Sequence, residues 1–169
     1  MIEVATVPDR DGSAPAHIHE VVDALVGLET EIERIGAGNG IDGRQVAGRL
    51  ATRLPGWEME RPGSRQHLSW TGAAGPLLVD GQREEGRSIL EIEGGGSLQN
   101  NRLHRDLLNA MLLDDVAELV LVLPQRVHGR HPFLYGKSFA HRLDEKGLLP
   151  QGLTVTILGY PVRFSPRNG

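Results

Sequence analysis

The chain has 169 residues, a formal net charge of −4 at pH 7, 24% charged residues and no cysteine. Its length suits one domain with a real hydrophobic core, and the missing cysteines exclude disulfides, cysteine-based zinc sites and a cysteine nucleophile. The slightly negative charge argues against a protein that binds nucleic acid through its bulk charge, although a local basic groove remains compatible with it.

The first third of the chain predicts a lead-in followed by two helices. Residues 1–14 carry turn-forming residues and are expected to be a mobile lead-in to a single domain over residues 15–169. Apolar residues then recur at helical spacing over Ala16–Ile35. A second, shorter helix is expected over Gly43–Leu54, where a Pro-Gly pair ends it.

The rest of the chain predicts strands separated by turns and helices. Three short strand candidates suggest a meander, residues 81–86 read as a polar turn, and residues 118–124 are typical of a strand buried on both faces. The expected elements are strands Trp57–Glu60, Gln66–Thr71, Pro76–Asp80 and Arg87–Glu93, helix Gln99–Leu113, strand Glu118–Pro124, helix Phe133–Lys146 and strand Leu153–Leu158. This order indicates an α/β sandwich around a central mixed sheet.

Two apolar segments each deliver carboxylates near their ends. Glu91 and Glu93 lie two apart, so on a strand both side chains leave the same face, and a hairpin could bring Asp80 to them. Carboxylates side by side repel one another unless a cation separates them, and a divalent cation with oxygen ligands is the usual answer. The pattern therefore favours a Mg²⁺-type cluster of Asp80, Glu91 and Glu93, with a solvated face of an exposed strand as the alternative.

Other polar residues could belong to the same site. Glu29 falls inside the apolar arc of the first helix, where a carboxylate is paired, protonated or metal-facing, unless it reaches solvent from the edge of the arc. Gln99, Asn100, Arg102 and Arg105 follow the acids and could contact nucleic-acid phosphates, with an ordinary polar helix face as the alternative.

Two histidines near the chain start form a further candidate. His17 and His19 have the alternating spacing of metal ligands on a strand, but at a helix start their side chains point apart. They are interpreted as surface residues.

The sequence Val79-Asp80, followed by Glu91-Ile92-Glu93 and then by Arg105-Asp106-Leu on a helix, resembles the PD-(D/E)XK nuclease superfamily. The resemblance covers roughly residues 75–124 and is to the subgroup with Glu-x-Glu in place of (D/E)-x-Lys. It implies a restriction-endonuclease-like three-layer sandwich, with a central mixed β-sheet flanked by helices. It also implies a divalent-metal-dependent endonuclease that hydrolyses DNA phosphodiester bonds, of the restriction or the defence and repair type.

The resemblance implies a role for each acid. Asp80 and Glu91, with the Ile92 carbonyl, would hold Mg²⁺, for which Mn²⁺ could substitute. Glu93 stands where the family usually has Lys and would act as a general base or a further ligand. Glu29 would hold an outer-shell water.

The resemblance also implies partners. DNA is the expected substrate, a homodimer is expected because cutting both strands needs two sites, and a partner protein of a defence system is a further option. The alternative function is a non-catalytic nucleic-acid-binding or protein-interaction subunit that keeps the fold. A third is another metal-assisted α/β hydrolase. No apolar run could span a bilayer and no signal peptide is evident, so a cytoplasmic protein without membrane contact is expected.

Overall fold

The computed structural model describes residues 1–8, 15–36, 42–60, 68–72, 75–83, 85, 87–96, 98, 101–113 and 115–162. Within these ranges the strands are β1 (Glu3–Val7), β2 (Glu58–Met59), β3 (Ser69–Gly72), β4 (Gly75–Leu78), β5 (Gly81–Arg83), β6 (Ser88–Ile92), β7 (Glu118–Pro124) and β8 (Thr154–Tyr160). The helices are α1 (Ala16–Gly36), α2 (Gly43–Leu50), α3 (Arg102–Met111) and α4 (Pro132–Glu145).

The centre of the fold is a six-stranded mixed sheet with the order β1-β8-β7-β6-β5-β2. The three middle strands β6, β7 and β8 are parallel, so their carboxyl ends meet at one edge of the sheet. The outer strands β1, β5 and β2 run antiparallel to their neighbours. Strands β3 and β4 form a separate two-stranded sheet.

Alternate residues of the central strands supply two hydrophobic cores, one on each face of the sheet. Leu90 and Ile92 of β6 pack with the apolar side chains of α1 and α2. Ile89, from the same strand, packs on the opposite face with Leu103 and Leu107 of α3 and with residues of α4. All seven residues of β7 are buried, because helices cover both faces there. The predicted α/β class, a central mixed sheet flanked by helices, is confirmed.

Several local predictions are corrected by long-range pairing. Residues 1–14 were expected to be a lead-in, but β1 pairs with β8 from Glu3↔Gly159 to Val7↔Val155, and residues 9–14 lie outside the described part. Residues 81–83 of the expected polar turn form β5. The expected meander is broken up, because β2 pairs with β5 while β3 and β4 pair with each other. The partners of β1 and β2 lie far away in sequence, so local composition does not reveal them.

The predicted surface position of one histidine was also wrong. His19 is exposed as predicted, but His17 is partly buried and contacts the Glu118 carboxylate through Nε2. Among the described residues, no helix is both long enough and apolar enough to cross a membrane.

Candidate active site

Asp80 and Glu91 come together because β5 and β6 form the expected hairpin. Gly81 pairs with Leu90 in this antiparallel ladder, so the preceding residue Asp80 stands next to Glu91. The Ile92 backbone N–H donates to Asp80 Oδ2 at 2.8 Å. This hydrogen bond fixes the Asp80 carboxylate at the carboxyl end of β6.

Glu93 is held by its backbone directly after β6. Its N–H donates to the Val122 carbonyl at 2.9 Å, and the Tyr160 hydroxyl donates to its carbonyl at 2.8 Å. Burial raises the pKa of Tyr160 above its usual value, so this hydroxyl remains a protonated donor. The ends of β7 and β8 thus both position Glu93.

A fourth acid, Asp106 of α3, reaches the same place. Ile89, Glu91 and Glu93 are spaced by two, and Ile89 packs against α3, so both acids leave the face that α3 covers. The Asp106 and Glu93 carboxyl groups lie within hydrogen-bonding reach of each other. Asp106 belongs to the Arg-Asp-Leu stretch of the family resemblance but was not predicted to be a site residue. Its spacing from Leu103 and Leu107, on the apolar arc of the helix, was the available signal.

We call Asp80, Glu91, Glu93 and Asp106 the acidic cluster, and burial perturbs every member. Burial raises the pKa of Asp80 to about 6, against the opposing effect of the Ile92 hydrogen bond. Burial and the neighbouring charges raise the pKa of Glu91 well above its ordinary value. Burial and Asp106 raise the pKa of Glu93 to about 7, and burial also raises the pKa of Asp106. Four acids that disfavour one another's ionisation form a site that a cation would stabilise.

Among the described residues, three arginines act electrostatically on the acidic cluster. The charge of Arg44 lowers the pKa of Asp80, that of Arg102 lowers the pKa of Glu93, and that of Arg105 lowers the pKa of Glu91. All three residues are exposed, so their guanidinium groups can also reach a ligand. Arg44 was missed by sequence reasoning, because nothing local indicates that the start of α2 faces β6.

The start of α2 packs directly on the backbone that carries the acids. A Cβ added at Gly43 would lie 2.7 Å from the Ile92 carbonyl oxygen and 3.0 Å from the Gly94 nitrogen. Only glycine fits here without moving the Ile92 carbonyl, because real Cβ atoms do not approach backbone atoms so closely. Asp42 caps the helix by accepting from the Arg44 N–H at 3.0 Å.

The cluster offers the chemistry of a hard divalent cation, although not as a complete cage. Its carboxylates and the Ile92 carbonyl are oxygen ligands for a cation, and one buried carboxylate oxygen, Asp106 Oδ2, has no hydrogen-bond partner within the described part of the chain. Within the described ranges, however, no three His, Asp or Glu side chains are arranged to hold a metal ion together. The donor set therefore fits a cation that takes few protein ligands and completes its shell with other oxygens.

The structure does not bring the remaining predicted residues into the cluster. Glu29 lies on α1, across the sheet from Glu91, and pairs with the N-terminal ammonium of Met1 at 3.0 Å, with its side chain 32% exposed. The predictions for Gln99 and Asn100 fall outside the described residues.

The comparisons with known proteins bear mainly on the fold. The chain is similar to the crystal structure of restriction endonuclease BglII complexed with a DNA 16-mer, with a TM-score of 0.58 and 12% identity over 98% of this chain and 78% of that one. The protein therefore has a restriction-endonuclease-like fold. No family model matches the chain.

One curated protein shares a short similar segment. Human stabilin-1 is 32% identical over 79 residues, which are 47% of this chain and 3% of stabilin-1. Because the chain spans so small a part of stabilin-1, this match assigns no family.

Proposed function

We propose that the protein is a divalent-metal-dependent endonuclease that hydrolyses DNA phosphodiester bonds. The observation that carries the proposal is the pairing of Asp80 with Glu91 at the β5–β6 hairpin of a restriction-endonuclease-like fold. The similar BglII chain is complexed with DNA, which supports DNA as the partner. A restriction or defence and repair role is the finer form of the same proposal.

Asp80, Glu91 and the Ile92 carbonyl would hold the cation. Bound Mg²⁺, or Mn²⁺ in its place, would supply Lewis-acid activation of water and neutralise charge that develops on the phosphate. The short distance from Asp80 Oδ2 to the Ile92 N–H supports this assignment, because it keeps the Asp80 carboxylate beside the strand end.

Glu93 would position the attacking water and take up its proton. A carboxyl group whose pKa is about 7 exists in both protonation states at neutral pH, which suits a general base. This role does not need the lysine that the family usually has at this position. The two backbone hydrogen bonds of Glu93 favour a fixed position of its side chain.

Arg102 and Arg105 would bind DNA phosphates beside the acids. Both are exposed near the start of α3, and both interact electrostatically with the cluster, so a phosphate there would lie close to the hydrolytic residues. Gln99 and Asn100 remain predictions for the same role. Glu29 is not part of this mechanism, since its observed partner is the N-terminus.

The test is cleavage of supercoiled plasmid DNA in Mg²⁺ or Mn²⁺ by wild type and by Glu91→Ala. We expect the substitution to reduce cleavage by roughly 1,000-fold or more, because it removes one of the two carboxylates proposed to bind the catalytic metal ion. Glu145→Ala, which changes an exposed acid at the end of α4, is the matched control and should cleave normally. Metal-dependent cleavage retained by a folded Glu91→Ala protein would refute the proposal.

We also propose that the enzyme acts as a homodimer. The proposal is supported by exposed leucines at the two helices of one sheet face: Leu108 on α3, Leu112 directly after α3, and Leu134 on α4. Leucines exposed in this way favour association with a second apolar surface. Sedimentation should show a dimer that Leu112→Glu weakens and that Leu78→Glu, at an exposed leucine of β4, leaves intact. A monomeric wild type would contradict it.

A further inference from the structure

The backbone that carries Glu93 leaves the sheet between a ladder hydrogen bond and a run of glycines. The Glu93 N–H donates to the Val122 carbonyl at 2.9 Å, which extends the β6–β7 pairing by one residue. Three glycines, residues 94–96, follow, and they have no side chains that could anchor the chain. The position of the Glu93 side chain therefore depends on what holds the Glu93 carbonyl.

Strand β7 cannot hold that carbonyl, because the strand ends in a proline. In a parallel ladder, a residue that donates to the residue before its partner accepts from the residue after that partner. The register Ile92↔Val122 makes Leu123 the partner of Glu93, so the expected donor is the N–H of residue 124. That residue is Pro124, which has no N–H, so the ladder ends one hydrogen bond short.

Tyr160 of β8 supplies the missing donor from the next strand. It is the register partner of Pro124, and its side chain is 0% exposed. Its hydroxyl donates to the Glu93 carbonyl at 2.8 Å, in a buried hydrogen bond that reaches past the end of β7. The Gln125 N–H donates to the Tyr160 carbonyl at 2.9 Å and holds the tyrosine backbone in place. A buried carbonyl that lost this donor would be unfavourable.

The tyrosine hydroxyl acts on the Glu93 backbone and not on its carboxyl group. Tyr160 packs with Leu90 and Ile92 in the core that α1 and α2 cover, whereas the Glu93 side chain leaves the face that α3 covers. Because Tyr160 is fully buried, it makes no contact with a phosphate bound at the acidic cluster. Any effect of the hydroxyl on cleavage therefore passes through Glu93.

We propose that Tyr160 is a positioning residue for the cleavage reaction, because its hydroxyl replaces the ladder hydrogen bond that Pro124 cannot make. The inference rests on the proposed function and deepens it, since it states what keeps Glu93 at the attacking water. Without the hydroxyl, the peptide between Glu93 and Gly94 is free to turn toward another donor, and the carboxyl group moves with it. Misplacement of a reacting group by about 1 Å can slow an enzyme by roughly 100-fold.

The test measures kcat and KM for plasmid cleavage in Mg²⁺ by wild type, Tyr160→Phe and Tyr135→Phe. Tyr160→Phe keeps the buried ring, so kcat should fall by roughly tenfold while KM for DNA changes by less than about twofold. Tyr135→Phe is the matched control, because it removes the hydroxyl of the other tyrosine, which lies 2.9 Å from His104 Nε2 on the surface. It should cleave like wild type.

A second pair of variants tests the replacement itself. Pro124→Ala restores an N–H at the ladder position, so in that background Tyr160→Phe should lower kcat by no more than about twofold. A hydroxyl that acts elsewhere than on the Glu93 carbonyl would matter equally in both backgrounds. Thermal denaturation checks that each variant is folded at the assay temperature, and the comparison in the Pro124→Ala background keeps the test open if Tyr160→Phe alone unfolds.

The outcomes separate the two proposals. If Tyr160→Phe cleaves like wild type, or only raises KM, the positioning role is wrong while the proposed nuclease function stands. If Tyr160→Phe lowers kcat by the same factor with and without the proline, the hydroxyl does not replace the ladder hydrogen bond, and the inference is wrong. If wild type cleaves no DNA, both proposals are wrong.

Discussion

Each end of the parallel strands β6, β7 and β8 buries an acid to a similar degree, but the two acids differ in their hydrogen-bond partners. At the amino end, Glu118 is 5% exposed, and its carboxylate contacts His17 and accepts from Thr156 Oγ1 at 2.7 Å and Ser88 Oγ at 3.4 Å. At the carboxyl end, Asp106 is 4% exposed, and its Oδ2 atom has no hydrogen-bond partner among the residues that the structure describes. We call the first group, His17, Ser88, Glu118 and Thr156, the His–Glu network.

The difference lies in where the hydrogen-bond donors of each buried acid come from. The His–Glu network joins the starts of β6, β7 and β8 to α1, and its donors come from the chain itself. The acidic cluster contains more carboxylates than hydrogen-bond donors. Such an excess is unfavourable for folding by itself, and it suits a cation-binding site. Burial by itself therefore does not distinguish the two kinds of acid, whereas their hydrogen-bond partners do.

The largest effect on stability is expected from the His–Glu network. His17→Ala removes a hydrogen-bond partner of the buried Glu118 carboxylate and should lower the free energy of unfolding by about 2 kcal/mol. Urea denaturation at pH 7 in EDTA measures it, and His19→Ala, an exposed neighbour on α1, should change stability by less than about 0.5 kcal/mol. Equal effects of the two substitutions would show that the network is not structural.

The acidic cluster should make the stability of the metal-free protein fall as pH rises. The pKa values of Asp80, about 6, and Glu93, about 7, lie above those of the unfolded chain, near 4, so the folded state holds protons that the unfolded state has released. The stability contributed by this protonation is full below pH 4 and is lost as pH rises toward 7.

Thermal denaturation in EDTA between pH 5 and pH 8 measures this effect. The melting temperature of wild type should fall over this range, and that of Glu93→Gln should fall less. Added Mn²⁺ should stabilise the protein most at pH 8, where the acids are ionised. A wild-type profile identical to that of Glu93→Gln would contradict the assignment of the raised pKa.

A smaller effect is expected where α2 meets the acidic cluster. Gly43→Ala would press a Cβ against the Ile92 carbonyl and should reduce cleavage by about tenfold through misplacement of the site. Gly27→Ala is the matched control, because its Cβ would meet only the flexible end of Arg53, at 2.9 Å. Unchanged cleavage by Gly43→Ala would mean that cleavage does not depend on the present position of the Ile92 carbonyl.

The smallest effect is expected from Glu29→Gln. Glu29 is partly exposed and pairs with the N-terminus, so its loss should change the free energy of unfolding by no more than about 0.5 kcal/mol. Cleavage should be reduced far less than by Glu91→Ala. A comparable loss of cleavage would bring Glu29 back into the active site.

The sequence by itself determined the elements whose signals are local and strong. The apolar run over residues 118–124 became β7 with the predicted bounds, because a strand buried on both faces needs no alternation. The helical spacing from Ala16 gave α1 to within one residue. The Glu-x-Glu spacing placed both acids on one face, since a strand alternates whatever its neighbours are.

Tertiary structure alone decided which distant groups meet. Strand β1 exists because the distant strand β8 pairs with it, and a short segment of mixed composition gives no local sign of that. Asp106 joined the acidic cluster, and Glu29 did not, because α3 and α1 pack on opposite faces of the sheet. Both acids lie on the apolar arcs of their helices, so only the packing of those helices distinguishes a cluster member from a residue paired with the chain terminus.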